Sequence, residues 1–298
     1  MPRAFSPRAI QVELPVGHRF PMTKYARLAD RLAAEGWTID AAPDVDGTDL
    51  ARVHDPGYLA AVAACRLDDR AVRRLGFPQS PALVRRSRAS VGGTLAAARR
   101  ALVDGLGVHL AGGTHHAFRD RGEGFCVYND LVVAAAALLA AGEVERVLIV
   151  DLDVHQGNGT ADLCASEGRI VTYSVHGERN YPFVKARGDV DVPLPDGLGD
   201  AGYLRALDAT LPPLFDAARP DLVLLQGGVD VLAGDRFGRL ALTEAGVVER
   251  ERRVASWCRD AGVPLVTTLG GGYHGEPERT VAAHAAGLRA VAETLGRS

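Results

Sequence analysis

Val147-Leu148-Ile149-Val150-Asp151-Leu152-Asp153-Val154-His155-Gln156-Gly157-Asn158-Gly159 is the stretch from which the rest of the sequence is best read. Four apolar, mostly β-branched residues in a row predict a strand covered on both faces, as in a parallel sheet with helices above and below. Three ionisable groups follow at alternate positions. Continued as a strand, the chain starts Asp151, Asp153 and His155 on one face. Behind an apolar run, three such groups are costly to bury unless something compensates them, and a divalent cation does so best. Carboxylate oxygen plus imidazole nitrogen suits zinc or a similar first-row metal, and a catalytic site takes about three protein ligands with one position open. Asp230, which ends another apolar strand, is the natural third ligand. Surface acids or helix caps would account poorly for the DxDxH spacing and the glycines behind it.

Outward from this stretch the pattern alternates. Val108–Gly112, Arg146–Asp153, Ile170–Val175, Asp221–Gln226 and Pro264–Leu269 read as buried parallel strands. Thr23–Glu35, Gly93–Asp104, Leu131–Ala141, Tyr203–Ala218, Glu244–Ala261 and Pro277–Leu295 read as helices. The expected fold class is therefore α/β: one open, mainly parallel sheet flanked by helices, spanning residues 1–298 as one domain. Asp189–Gly202, rich in Pro and Asp, reads as a surface loop, and Arg66–Val84 as a loop at the site's rim. The predicted strands end in polar, Gly-rich segments: Gly112-Gly113-Thr114-His115-His116, Asp151–His155, Gly227-Gly228-Val229-Asp230 and Gly270-Gly271-Gly272-Tyr273. Ligands of open parallel sheets bind at the carboxyl ends of the strands, so these ends predict one shared site.

Two of them add chemistry to the metal set. Adjacent histidines cannot both face one way on a regular strand, so the chain must turn at His115-His116, as Gly112 and Gly113 permit. Beside a metal they serve either as acid and base or as ligands, and imidazole exchanges protons near neutral pH with little perturbation. Asp151 could then pair with one ring and set its tautomer. Tyr273, carried by three glycines, could bring a phenol to a developing oxyanion.

Composition narrows the partners. With 34 Lys and Arg against 37 Asp and Glu, the net charge is −3, which argues against a nucleic-acid binder working through a broad basic field. Met1–Ile10 lacks an apolar signal core, and the longest apolar run, Leu131–Ala141, is about half of a membrane span. No membrane partner and a cytoplasmic location are expected. Cys65, Cys126, Cys164 and Cys258 form no CxxC pair and read as reduced thiols outside the metal site.

Together these segments resemble the histone deacetylase and acetylpolyamine amidohydrolase family, with its arginase-like α/β fold. The resemblance is carried by Gly113-Thr114-His115-His116-Ala117, Gly122-Glu123-Gly124-Phe125-Cys126-Val127-Tyr128-Asn129-Asp130, Asp151–Gly159, Gly228–Asp235 and Gly270–Tyr273, in order along nearly the whole chain. Gln156 and Gly234-Asp235-Arg236-Phe237-Gly238 look most like the class IV branch and its bacterial relatives.

The resemblance implies Zn²⁺, or Fe²⁺, on Asp153, His155 and Asp230, and a structural K⁺ near Asp151, Asp153, His155, Ser174 and Val175. It implies His116 as general base and then acid, and His115 as an electrostatic partner oriented by Asp151. Asn158 stands where the family keeps Asp or Asn beside the second His, and Tyr273 polarises the scissile carbonyl. Phe125 walls a tunnel for an acyl-lysine stem, with Tyr181 or Phe183 opposite, Gly124 offering its carbonyl to the substrate amide and Gly271 also among the substrate-binding residues. The implied activity is removal of acetyl or longer acyl groups from lysine side chains or from related small amines, including polyamines. A non-catalytic acyl-lysine binder and a two-metal ureohydrolase are the competing readings. Gly197–Gly202 fits GxGxxG but follows Pro193 and Pro195 instead of a buried strand, so it fails as a dinucleotide loop. His18 and His54 read as structural or rim residues, and Arg85-Arg86-Ser87-Arg88 as a solvated face.

Overall fold

The run from 147 becomes the middle of a six-stranded sheet, and its alternation divides the interior in two. In the computed structural model, which describes residues 2–297, the strands are β1 Arg3–Ser6, β2 Thr38–Ala41, β3 Leu106–Val108, β4 Val147–Asp151, β5 Ile170–Gly177, β6 Val190–Leu194, β7 Leu222–Gln226 and β8 Leu265–Thr268. The helices are α1 Thr23–Ala34, α2 Gly47–Ala51, α3 Pro56–Ala63, α4 Asp69–Leu75, α5 Pro81–Asp104, α6 Asp130–Ala141, α7 Asn158–Cys164, α8 Asp200–Ala218, α9 Glu244–Ala261 and α10 Pro277–Thr294. The main sheet runs β3-β8-β7-β4-β5-β6 with every neighbour parallel. A parallel β1-β2 pair extends its β3 edge through Phe5, opposite His109.

Period-two packing is visible in β4 itself. Leu148 and Val150 join the core shared with α1, α8, α9 and α10, while Val147 and Ile149 join the core under α5 and α6. Helix ends follow their local chemistry. Ser80, Asn129 and Thr243 accept backbone N–H bonds as N-caps of α5, α6 and α9, and left-handed Gly105, Gly142 and Gly262 close the same three helices.

Several expectations change. Residues 189–202 are not all loop: Val190–Leu194 is the edge strand β6. Pro193, opposite His176, is tolerated there because an edge strand has one side without ladder partners. Arg66–Val84 holds α4 and the start of α5, whose Ser80 cap and Pro81 mark a helix N-terminus that apolar periodicity alone does not show. Arg86 is buried, stacks on Tyr25 at 4.6 Å and donates to Pro7 O, so the arginine run is only partly a solvated face.

A second arginine, Arg250 on α9, is completely buried. Its guanidinium donates to Leu152 O, Gly228 O and Glu251 Oε1 at 2.9, 3.0 and 2.7 Å, tying the segment after β4 to the segment after β7. Arg250→Ala leaves the Glu251 carboxylate and two carbonyls without their donor. The expected loss is about 3–5 kcal/mol in urea denaturation, and Arg250→Met paired with Glu251→Leu should recover the part due to the unpaired carboxylate. An unchanged midpoint for the single variant would show that the pair holds nothing.

His54 predicts an acid limb. Its Nδ1–H donates to Phe118 O and its Nε2 accepts from Asn129 N, an arrangement only the neutral ring can make. Burial depresses its pKa from 6.5 to about 4. The unfolded chain therefore takes up this proton first, and stability falls as pH drops from about 6.5 to about 4. The contribution is on the order of 3 kcal/mol. His54→Gln should flatten that part of a denaturation-versus-pH profile; an unaltered slope contradicts the assignment.

Candidate metal centre and active site

β4 ends at Asp151, so Asp153 and His155 do not lie on a strand as the alternation predicts. They are brought round by two successive side-chain turns: Asp151 Oδ1 accepts from Asp153 N at 3.1 Å, and Asp153 Oδ1 accepts from His155 N at 2.9 Å. The same i, i+2, i+4 spacing thus converges by turning instead of by pleating. Asp230, beyond β7, accepts through Oδ1 from Val154 N, and Asp153 Oδ2 accepts from Gly271 N at 2.7 Å. Three strand-end segments are stitched together by carboxylates.

His155 Nδ1 lies 2.9 Å from Asp153 Oδ1 and 3.1 Å from Asp230 Oδ2. These three residues are the group among the described residues whose donor atoms all fall within 4.8 Å of one another. Tetrahedral ligand atoms about 2.1 Å from one ion are about 3.4 Å apart, close to this spacing. Asp230 Oδ2 is buried with no hydrogen-bond partner among the described residues, and a Cβ on Gly271 would fall 1.9 Å from it. An unpartnered carboxylate oxygen in a cradle that only glycine fits, with two oxygens and one nitrogen as donors, suits a divalent first-row ion. Burial, reinforced by Asp153, pushes the Asp230 pKa up to about 6.

The two histidines sit side by side, ring centroids 4.0 Å apart. Gly112 and Gly113 take φ of +78° and +73°, and Asp130 accepts from Gly113 N and Thr114 N, which holds the turn. His115 Nδ1 meets Asp151 Oδ2 at 2.6 Å; His116 Nδ1 meets Asn158 Oδ1 at 2.7 Å. Burial opposes charge on both rings. At His115 the carboxylates of Asp151 and Asp153 outweigh it and raise the pKa, whereas at His116 burial, then His115 and His155, push it well below the ordinary value. Asn158 Nδ2 donates to Glu123 Oε1, which also accepts from the Tyr181 hydroxyl. With its amide so fixed, Asn158 presents its oxygen to His116 Nδ1–H and leaves Nε2 as the unprotonated nitrogen.

A cavity of about 510 Å³ opens over these groups, lined by His115, His116, Asp153, His155, Gly271 and Tyr273 among others. Gly124 and Phe125 both adopt left-handed backbone, φ +56° and +66°. A Cβ on Gly124 would fall 2.5 Å from the His116 ring. The Phe125 ring packs against Phe20 and Phe77 at 5.2 and 5.3 Å. Tyr181 stands edge-on to His116 at 5.0 Å, while Phe183 lies at the mouth, 85% exposed. Of the two aromatics left open by sequence, Tyr181 is the one beside the histidines. Tyr273 N donates to Asp235 Oδ2, and its ring packs on Phe237 at 4.9 Å. Burial, then Asp230 and Asp153, raise its phenol well above the ordinary value, so it stays a donor.

Three further groups position these side chains without a motif that marks them for this role in the sequence. Lys24, fully buried and lowered to about 8 by burial, donates to Gly270 O at 3.0 Å beneath the tyrosine segment. Asp235 anchors Tyr273, and Glu123 orients Asn158. The available signals were that Lys24 is one of only two lysines and that both acids lie inside quoted motifs. Cys126 also lines the cavity, but burial keeps its thiol protonated and outside the ligand set.

The Histone deacetylase domain family profile matches residues 18–288. An uncharacterized protein of Picosynechococcus sp. is 44% identical over 265 residues, 87% of this chain and 88% of its own length. Histone deacetylase 2 of Arabidopsis thaliana is 30% identical over 278 residues, 89% of this chain and 72% of its own. The crystal structure of an acetylpolyamine aminohydrolase from Burkholderia pseudomallei superposes with a TM-score of 0.81 at 22% identity, covering 99% of both chains.

The metal cradle is testable directly. Asp230→Ala and Gly271→Ala should each lower Zn²⁺ affinity by at least about 100-fold in a chelator-competition titration while far-ultraviolet circular dichroism is retained. Wild-type affinity in both variants would remove this trio as the metal site.

Proposed function

This chain belongs to the histone deacetylase family and is a hydrolase of deacetylase type, and we propose that it removes acetyl or longer acyl groups from lysine side chains or related small amines with Zn²⁺ or Fe²⁺ at Asp153, His155 and Asp230. The observation that carries this reading is the pair of adjacent imidazoles beside the ligand trio, one bonded through Nδ1 to the Asp151 carboxylate at 2.6 Å and the other to the Asn158 amide oxygen at 2.7 Å. Pairs of titratable groups pushed apart in this way divide base from electrostatic partner.

When bound, a divalent ion supplies Lewis acidity to the amide carbonyl and acidifies a water. The chain's own groups do the rest. His116 Nε2 takes the proton of the attacking water and returns it to the departing amine nitrogen. His115, held towards its charged form by Asp151, stabilises the negative charge that develops nearby. The Tyr273 hydroxyl donates to the carbonyl oxygen as it becomes an oxyanion. Phe125 and Tyr181 flank the aliphatic stem, the Gly124 carbonyl accepts from the amide N–H, and the small Gly271 keeps the floor open.

Purified protein should hydrolyse an Nε-acyl-lysine reporter, and an acyl-chain panel on peptide and polyamine substrates would rank the preferred chain. Tyr273→Phe should lower kcat by about 10²–10³, and Asp153→Ala should abolish turnover. Glu123→Ala should reduce kcat by freeing the Asn158 amide, while Glu123→Gln, which keeps an acceptor for Asn158 Nδ2, should restore it. Full activity in both Tyr273→Phe and Asp153→Ala would refute the assignment.

A further inference from the structure

The mouth of the cavity has a charge that the chain as a whole does not. The sequence holds more acids than bases, 37 against 34. Around the cavity five arginines converge from separate segments: Arg19 ahead of α1, Arg74 at the end of α4, Arg179 after β5, and Arg236 and Arg239 beyond Asp230. Against them the lining has one carboxylate, Asp153, which belongs to the metal trio. Arg239 is paired with Asp196 at 3.3 Å; the other four make no ion pair among the described residues.

The acids next in sequence do not neutralise them. Asp235, beside Arg236, already accepts from the backbone N–H groups of Phe237, Gly238 and Tyr273. Glu123, below the rim, is engaged by Asn158 and Tyr181. Glu178, beside Arg179, makes no ion pair with it among the described residues. Phe183, strongly exposed, adds an apolar edge to the same mouth. Guanidinium groups are weakly hydrated and match carboxylates in paired geometry, so a mouth of this kind attracts anions and repels polycations.

We infer that the arginine rim selects acyl-lysines flanked by carboxylates, as in an acidic peptide segment, over acylated polyamines. The inference rests on the deacylase reading above and names its substrate class. Charges at an exposed rim act mainly on encounter and on discrimination between partners, and salt screens them. An acidic flank should therefore raise kcat/KM more than kcat.

The experiment uses three Nε-acetyl-lysine peptides identical except for flanking Glu, Gln or Lys, together with N-acetylspermidine. Both kcat/KM and the Kd of fluorescently labelled peptides are measured at low and high ionic strength. The expected order is Glu over Gln over Lys, about tenfold from first to last at low salt and narrowing at high salt, with N-acetylspermidine lowest in kcat/KM. Arg179→Glu combined with Arg236→Glu, both exposed positions, should reverse the peptide order. Equal values across the peptides, a preference for Lys flanks, or an order unmoved by the double variant would overturn the inference. Absence of turnover on every substrate would sink the deacylase reading instead, and the Kd order would still decide the rim.

Discussion

Three carboxylates, Asp151, Asp153 and Asp230, are buried within one cluster at the strand ends, and much of the architecture around them answers that constraint. Buried anions are tolerable only when paired or fully hydrogen-bonded. Backbone N–H groups of Asp153, Val154, His155 and Gly271 all point at carboxylate oxygens. Such donors require backbone to approach side chain closely, which accounts for the glycines. A Cβ on Gly228 would fall 2.4 Å from Asp153 Oδ2, and one on Gly271 1.9 Å from Asp230 Oδ2. Beneath, Arg250 holds the carbonyls of Leu152 and Gly228, so the two segments bearing Asp153 and Asp230 cannot separate without exposing a buried guanidinium. One oxygen, on Asp230, is left over.

What could be read from sequence follows the range of the interaction concerned. Val147–Val150 announces a buried strand because both faces are apolar over consecutive residues, and DxDxH announces a cation because its charges lie within five positions. Both are local. Val190–Leu194 does not read as a strand because its strand character comes from pairing with β5, and Pro193 is a loop signal unless the strand is known to be an edge. Lys24 and Arg86 are illegible for a similar reason. Each is a charged residue in an unremarkable segment, and each acquires its role from a carbonyl more than 70 residues away in sequence. The convergence of Asp151, Asp153 and His155 was expected from a pleat and arises from turns. A one-dimensional spacing specifies which residues meet without specifying the backbone path that brings them together.

The two histidines show how small a difference in composition gives neighbouring rings different electrostatic surroundings. Both rings are buried, adjacent, and bonded through Nδ1 to an oxygen. One oxygen belongs to a carboxylate and the other to an amide. The carboxylate of Asp151 offsets the desolvation of a charged ring; the Asn158 amide orients a ring without offering it a counter-charge. Asn158 is in turn held by Glu123, so negative charge near His116 is kept one residue further away and reaches it as orientation.

Along the cavity, then, charge changes sign with depth. The floor holds Asp153 of the candidate metal trio, the aromatic rings of Phe125, Tyr181 and Tyr273 line the walls, and the mouth carries guanidinium groups. A neutral acylamide can cross the apolar middle at little electrostatic cost, since only its amide needs partners. A second cationic site along the substrate cannot sit at the mouth without repulsion, nor enter the aromatic middle without losing its hydration. On the deacylase reading proposed above, separating the reacting amide from its carrier in this way would let the floor select the reaction and the mouth the molecule.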